Sequence, residues 1–125
     1  MSREKIKTYR DLIVYTKSFD LAMELFRLTS TFPREEKYGL TDQIRRASRS
    51  IPANIAEGWA KRTFENIFKR HLIDSSGSCE ETMVWLEFSF RCNYIDSEKY
   101  NYYSQQYDEV GKMLFALHDK WCTYK

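Results

Sequence analysis

The stretch Gly39-Leu-Thr-Asp-Gln-Ile-Arg-Arg-Ala-Ser-Arg-Ser-Ile-Pro-Ala-Asn-Ile-Ala-Glu-Gly-Trp-Ala-Lys-Arg62 decides how the rest of the chain is read. Leu40, Ile44, Ala47, Ile51 and Ile55 recur every three to four residues, which places them on one face of a helix expected over residues 40–57. Thr41 is a candidate N-cap, and Asp42 suits the positive end of the helix dipole. Gly58 offers a left-handed exit. Arg45, Arg46 and Arg49 fall beside or opposite the apolar seam and should face water. Pro52 is the anomaly: without an N–H it leaves the Ser48 carbonyl unpaired and should bend the helix, with Ser48 and Ser50 able to bond back to the chain nearby.

Working outward, 125 residues with 42% apolar content suffice for one domain with one core. Four glycines and two prolines are too few for an all-β chain with many tight turns, so helix is favoured. There is no apolar run of membrane-spanning length, and the first residues lack a signal peptide's apolar core, which predicts a cytoplasmic protein with no membrane contact. Cys79, Cys92 and Cys122 are odd in number and lack C-x-x-C spacing, so reduced thiols are expected. Charge is uneven. Residues 1–70 hold 15 Lys and Arg against 9 Asp and Glu, whereas residues 71–125 hold 5 against 9. That asymmetry fits either an anionic partner or attraction between copies of the chain, and it equally fits solvated helix faces.

Residues 1–9, with Arg3, Lys5 and Lys7, read as a basic arm preceding a bundle over 10–125. Thr8 three residues before Asp11 is a capping signal for a first helix over 10–30, with Leu12, Tyr15, Phe19, Ala22 (with Met23) and Phe26 as its seam. Pro33 follows its end, and Phe32 and Tyr38 are expected to anchor the connection. A third helix, capped by Thr63, should run to Cys92. Ser75-Ser76-Gly77-Ser78 is poor helix sequence, yet Phe68, Leu72, Ser75, Cys79, Thr82, Leu86 and Phe90 keep one phase through it. The small residues, Gly77 among them, therefore mark a close approach of another helix. Met83, Val84, Trp85 and Phe88 add apolar surface beyond one seam, which predicts burial by neighbouring subunits. Asp96 or Ser97 caps a fourth helix with a regular seam at Tyr100, Tyr103, Tyr107, Val110, Leu114, Leu117 and Trp121. The fold expected is all-α, an antiparallel up-down-up-down four-helix bundle.

No catalytic constellation is visible. Phosphate-binding, dinucleotide and nucleophile-elbow motifs are missing, and neither His71 nor His118 has the Glu three residues earlier that di-iron bundles use. The expectation is a non-enzyme without metal or cofactor, with His71 at the core edge. Binding is better supported. Arg45, Arg46, Arg49, Lys61, Arg62, Lys69 and Arg70 form the candidate nucleic-acid surface, because guanidinium groups donate paired hydrogen bonds to phosphate. Tyrosines of the fourth helix could stack on unpaired bases, although seam tyrosines are more often core. The same arginines could instead pair with acids of another subunit, giving a protein scaffold without nucleic-acid affinity.

The strings Tyr38-Gly-Leu-Thr-Asp-Gln-Ile-Arg-Arg-Ala47 and Ser50-Ile-Pro-Ala-Asn-Ile-Ala-Glu-Gly58 resemble the signature of the four-helix-bundle proteins encoded in bacterial 23S ribosomal RNA intervening sequences. Tyr9-Arg-Asp-Leu12, Phe32-Pro33, Gly77-Ser-Cys-Glu-Glu81 and Tyr94-Ile95 extend the likeness over about residues 9–95. That family is similar to the accessory variability determinants of diversity-generating retroelements. The resemblance implies a homopentameric ring, an RNA- or DNA-binding role and a reverse transcriptase as partner. Arg45 and Arg46 match the family's paired arginines. Asn54 and Glu57 match its Asn-Ile-Ala-Glu-Gly segment and, with Pro52 and Gly77, are expected at helix or subunit contacts. The chain departs at Asp74, usually apolar in the family, and at His71, often aromatic there.

Overall fold

Four helices account for the architecture of the computed structural model, which describes residues 6–123: α1 Ile13–Leu28, α2 Leu40–Ala60, α3 Glu65–Arg91 and α4 Ser97–Lys120. Each packs on its successor and α4 returns against α1, the arrangement of an antiparallel four-helix bundle. No strand occurs among the described residues. The core runs the length of the bundle, with Leu25, Ile44, Ile51, Ile55, Phe68, Leu86, Tyr107, Val110 and Leu114 sealed from solvent.

From Ile6 onward the described residues leading into α1 are built onto the bundle. Arg3 and Lys5 lie outside the described residues, but Ile6 packs on the core and Thr8 and Asp11 close a reciprocal capping box. That box caps a single 3-10 turn, Tyr9–Asp11, rather than the first helix, because Leu12 is extended and breaks the run before α1. The seam expected on α1 holds at Leu12 and Ala22 but not at its phenylalanines. Val14, Ser18, Leu21, Ala22 and Leu25 are buried, whereas Phe19, Met23 and Phe26 stand substantially exposed. The sequence carries two stripes on this helix, and the one containing Ser18 packs inward, where a small side chain lets the helices approach and its hydroxyl donates to the Tyr15 carbonyl. Phe32 anchors the α1–α2 connection by packing its ring 5.2 Å from Tyr94, but Tyr38 is 85% exposed and anchors nothing inside.

α2 passes through Pro52 as one helix of 21 residues. Neither end behaves as expected. Thr41 is buried inside the first turn, and the cap is supplied from outside by Glu36, whose Oε1 accepts from the Leu40 N–H at 3.0 Å. Gly58 is helical, without a positive φ, and the helix continues to Ala60. Gly58 is needed for space: a Cβ there would lie 2.6 Å from His71 Cβ and 3.2 Å from a Phe68 ring carbon. Gly77 itself takes no part in the close approach expected of the small residues of α3, since a Cβ there would meet nothing within 4 Å.

α3 keeps its phase across the small residues. Phe68, Leu72, Ser75, Cys79, Thr82 and Leu86 are buried, with Ser89 rather than Phe90 ending the series. Its start lacks a side-chain cap, Phe64 standing where Thr63 was expected. Ser75 does bring the backbones together, donating to the Ile51 carbonyl at 3.0 Å in the turn that contains Pro52. Asp96 caps α4 by accepting from Lys99 N–H at 2.8 Å. Beyond α4, Trp121 packs edge-on against Trp59 and Phe68, and Thr123 Oγ1 donates to the Arg62 carbonyl at 2.6 Å. The α2–α3 turn is therefore pinned by the end of the chain.

Candidate nucleic-acid interface

The seven basic residues singled out in the sequence divide into two groups. Arg45 and Lys61 are sixteen residues apart on or just beyond α2, which at 1.5 Å per residue separates them by about 24 Å. Arg45, Arg46 and Arg49 lie near the N-terminal end of that helix. Lys61, Arg62, Lys69 and Arg70 lie at the α2–α3 turn and the first turns of α3. No single patch holds all seven.

Arg45 is not a free surface cation. Its Nε donates to Thr29 Oγ1 at 2.8 Å and its Nη2 to the Phe26 carbonyl at 3.1 Å, so it satisfies acceptors at the C-terminal end of α1. Its guanidinium also sits 4.4 Å from the centre of the Phe26 ring, and that of Arg49 lies 5.6 Å from the same ring. Arg46 and Arg49 are exposed, and the Arg46 side chain, 75% open, pairs with Asp42 at 3.1 Å. At the other end, Lys61 pairs with Glu57, Lys69 with Glu65 and Arg70 with Asp74, all four residues apart on a helix or just past its end. Arg62 lies over Trp59 at 4.3 Å and donates to that residue's carbonyl.

Between the two groups a polar line crosses the α2–α3 seam. Ser78 and Ser50 share a hydrogen bond of 2.7 Å, and Asn54 Nδ2 donates to Ser50 O and Oγ. Asn54 Oδ1, which can only accept, lies 3.1 Å from His71 Nδ1, so that nitrogen carries the proton. His71 Nε2 is then left as acceptor for Lys61 Nζ at 3.5 Å. Asn54 does bond across a helix boundary, whereas Glu57 turns back to Lys61 on its own segment. His71 occupies the half-buried core edge expected of it, and Asp74 is exposed.

The seam tyrosines of α4 sit in or against the core. Tyr103 and Tyr107 are buried and Tyr100 stacks on Phe90 at 4.7 Å, while Tyr102 is half exposed. Tyr107 Oη is sealed from water with no hydrogen-bond partner, and burial pushes its pKa up. Cys79 is buried with its Sγ donating to the Tyr107 carbonyl, and burial pushes the thiol up to about 12. Cys92 and Cys122 are exposed. Among the described residues no three His, Cys, Asp or Glu side chains gather as metal ligands, and no helix is long and apolar enough to cross a membrane.

Sequence reasoning missed the outward stripe Phe19, Met23 and Phe26, having placed it inside. The usable signal was Ser18 within the alternative stripe, since this chain repeatedly buries small hydroxyl residues at helix contacts.

Among curated proteins, none matches this chain. A solved structure of a protein of unknown function from the S23 ribosomal protein family of Bacteroides thetaiotaomicron is similar, with a TM-score of 0.76 and 25% identity. The match covers 86% of this chain and all of that one. Residues 10–116 match the 23S rRNA-intervening sequence protein family, and with a bundle of the same shape in a solved relative, the chain belongs to that family.

Proposed function

We propose that the protein is a non-catalytic, homo-oligomeric adaptor that binds nucleic acid through the outward basic residues of α2 and α3. The observation that carries this reading is the exposure of Arg46 and Arg70, whose side chains are 75% and 77% open to solvent on neighbouring helices. Their carboxylate partners are exposed and four residues away on the same helix, pairs worth about 0.3–0.5 kcal/mol. Such pairs do not withhold a guanidinium from phosphate, which it grips with two parallel hydrogen bonds. Assembly would repeat these two exposed guanidinium groups once per subunit and raise avidity without any new interaction within a subunit. Five copies, and a reverse transcriptase as protein partner, are the assembly that the likeness to accessory variability determinants suggests.

The test is binding to labelled structured RNA and duplex DNA across a salt series, for wild type and for Arg46→Glu with Arg70→Glu. Arg45 is left in place because it holds the end of α1. Wild-type affinity should fall linearly in log–log form, and removing one phosphate-neutralising arginine should reduce the slope by about 1. Unchanged binding in the variant would sink the nucleic-acid reading. A protein scaffold without nucleic-acid affinity is the second reading, favoured by Arg45 being bonded to the end of α1 and laid on Phe26 instead of reaching into solvent.

A further inference from the structure

At the α2–α3 turn the start of a helix is built against the usual preference. Phe64 holds the N-cap position of α3, where Ser, Thr, Asp and Asn are favoured, and no side-chain capping bond is made there. Thr63, a residue able to cap, immediately precedes it and is left exposed. Phe64 stands 65% exposed, and Ile67, one turn on, is 43% exposed. Single exposed apolar residues are ordinary. An aromatic ring that takes the place of a cap, beside an unused threonine, is not explained by the stability of α3.

The turn that carries the ring is fixed. Lys61, Arg62 and Phe64 donate their N–H groups to the carbonyls of Gly58, Trp59 and Lys61 at 2.9, 3.2 and 3.0 Å. Thr123 clamps the turn from outside, its N–H donating to Glu65 Oε1 at 2.8 Å and its hydroxyl to the Arg62 carbonyl. The neighbouring rings are already used: Trp59 and Phe68 are sealed in the core with Trp121, and Arg62 is laid over Trp59. Phe64 is the ring that this turn presents to solvent.

Cations stand on both sides of it. The bond from Phe64 N–H to the Lys61 carbonyl draws Lys61, half exposed, to the other end of the same tight turn. Arg70, 77% exposed, lies six residues along α3, about 9 Å further at 1.5 Å per residue. A flat ring between two cations matches an unpaired nucleotide, the base on the ring and the flanking phosphates on the cations. A duplex keeps its bases stacked inside and offers the ring nothing, so only its phosphates would be gripped. Two apolar side chains are also too little hydrocarbon for a bilayer, which peripheral helices enter with a whole apolar face.

We infer that the α2–α3 turn is a stacking site for an unpaired base of single-stranded RNA or DNA, with Phe64 as the platform and Lys61 and Arg70 holding the flanking phosphates. This rests on the nucleic-acid reading above and names the kind of strand it takes.

The experiment is binding of labelled oligothymidine and of a duplex of equal length, by fluorescence anisotropy at one low salt concentration, for wild type, Phe64→Ser and Phe64→Tyr. Sedimentation with phosphatidylserine–phosphatidylcholine vesicles is run beside it. Phe64→Ser installs a preferred N-cap, so its melting temperature should not fall; Phe64→Leu, which keeps bulk without an aromatic face, repeats the test should it do so. Phe64→Ser should weaken oligothymidine binding by roughly 5- to 150-fold, the range of one lost base–aromatic stack, and leave duplex binding within about twofold. Phe64→Tyr keeps a ring and should bind as wild type does. Unchanged oligothymidine binding in Phe64→Ser, or an equal loss on the duplex, would overturn the stacking site while the nucleic-acid reading stands. A wild type that binds duplex but not oligothymidine would do the same, and binding of neither would overturn both. Vesicle binding that depends on Phe64, without affinity for oligothymidine, would overturn the site in favour of a membrane surface.

Discussion

The two sides of α3 invert the usual division of a bundle helix. Its inner side carries Ser75, Cys79, Thr82 and Ser89 among the buried residues, and its outer side carries Ile73, Val84 and Phe88. The inner hydroxyls are not stranded, because Ser75 bonds to α2, Thr82 to the Ser78 carbonyl and Ser89 to the Trp85 carbonyl. A satisfied small polar side chain costs little to bury and lets two backbones come close. The outer hydrocarbons have no such compensation within one chain. The inner face is therefore finished by folding, and the outer face stays open to solvent in the single chain.

The sharpest way to break that contrast is to truncate one residue on each side. Leu86→Ala, at a site with no exposure, should cost about 2–5 kcal/mol in urea unfolding, as filled cores do. Val84→Ala, half exposed, should stay within about 0.5 kcal/mol for the single chain. Equal losses would mean that the outer face is already packed within the monomer.

The glycines give a second test on the same pair of surfaces. Gly58→Ala forces a Cβ into His71 Cβ and should cost about 1–3 kcal/mol, since neither backbone can yield freely. Gly77→Ala meets nothing and should stabilise the isolated chain by roughly 0.5–1 kcal/mol through helix propensity. Thermal unfolding of both variants decides it, and a destabilised Gly77→Ala would contradict an open notch.

Thiol reactivity reads the comparison chemically. Cys79 on the inner face, held at about 12 by burial, should resist alkylation at pH 8, whereas Cys92 and Cys122 should react. Mass spectrometry should show two labels on the native chain and three after denaturation. A third label on the native chain would show that the inner seam opens.

The smallest effect concerns the connection that starts α2. Glu36 is held below its ordinary value by the Leu40 N–H first and the Tyr94 hydroxyl second, and Tyr94 is pushed up to about 12 chiefly by the same hydrogen bond. A lowered carboxylate contributes stability above its unfolded value and loses it as pH falls through the lowered one. A raised phenol contributes below about 10 and loses it as pH climbs toward about 12. Glu36→Gln should flatten both limbs of the stability–pH curve, and unaltered limbs would show that neither bond matters to folding.

Helix number, order and approximate limits were legible in the sequence because an amphipathic helix states its own period. The α3 phase through Ser75–Ser78 and the α4 seam both stood in the structure on that ground. α1 was read on the wrong stripe because its aromatic residues outweigh Val14, Ser18, Leu21 and Leu25 in hydrophobicity. Bulk does not decide which stripe turns inward; fit against α2 and α4 does. The basic residues were legible as charge but not as a site, since spacing along α2 cannot tell that Arg45 folds onto α1 while Arg46 stays in water.

By itself, then, the sequence determined the class of fold and the family signature, both consequences of local periodicity and of specific strings such as Ile51-Pro-Ala-Asn-Ile-Ala-Glu-Gly58. The tertiary structure alone decided which glycine is indispensable, which arginines are structural and which apolar stripes are left uncovered. Those depend on distances between helices far apart in the chain. Gly58 and His71, or Arg45 and Phe26, become neighbours only when the bundle closes.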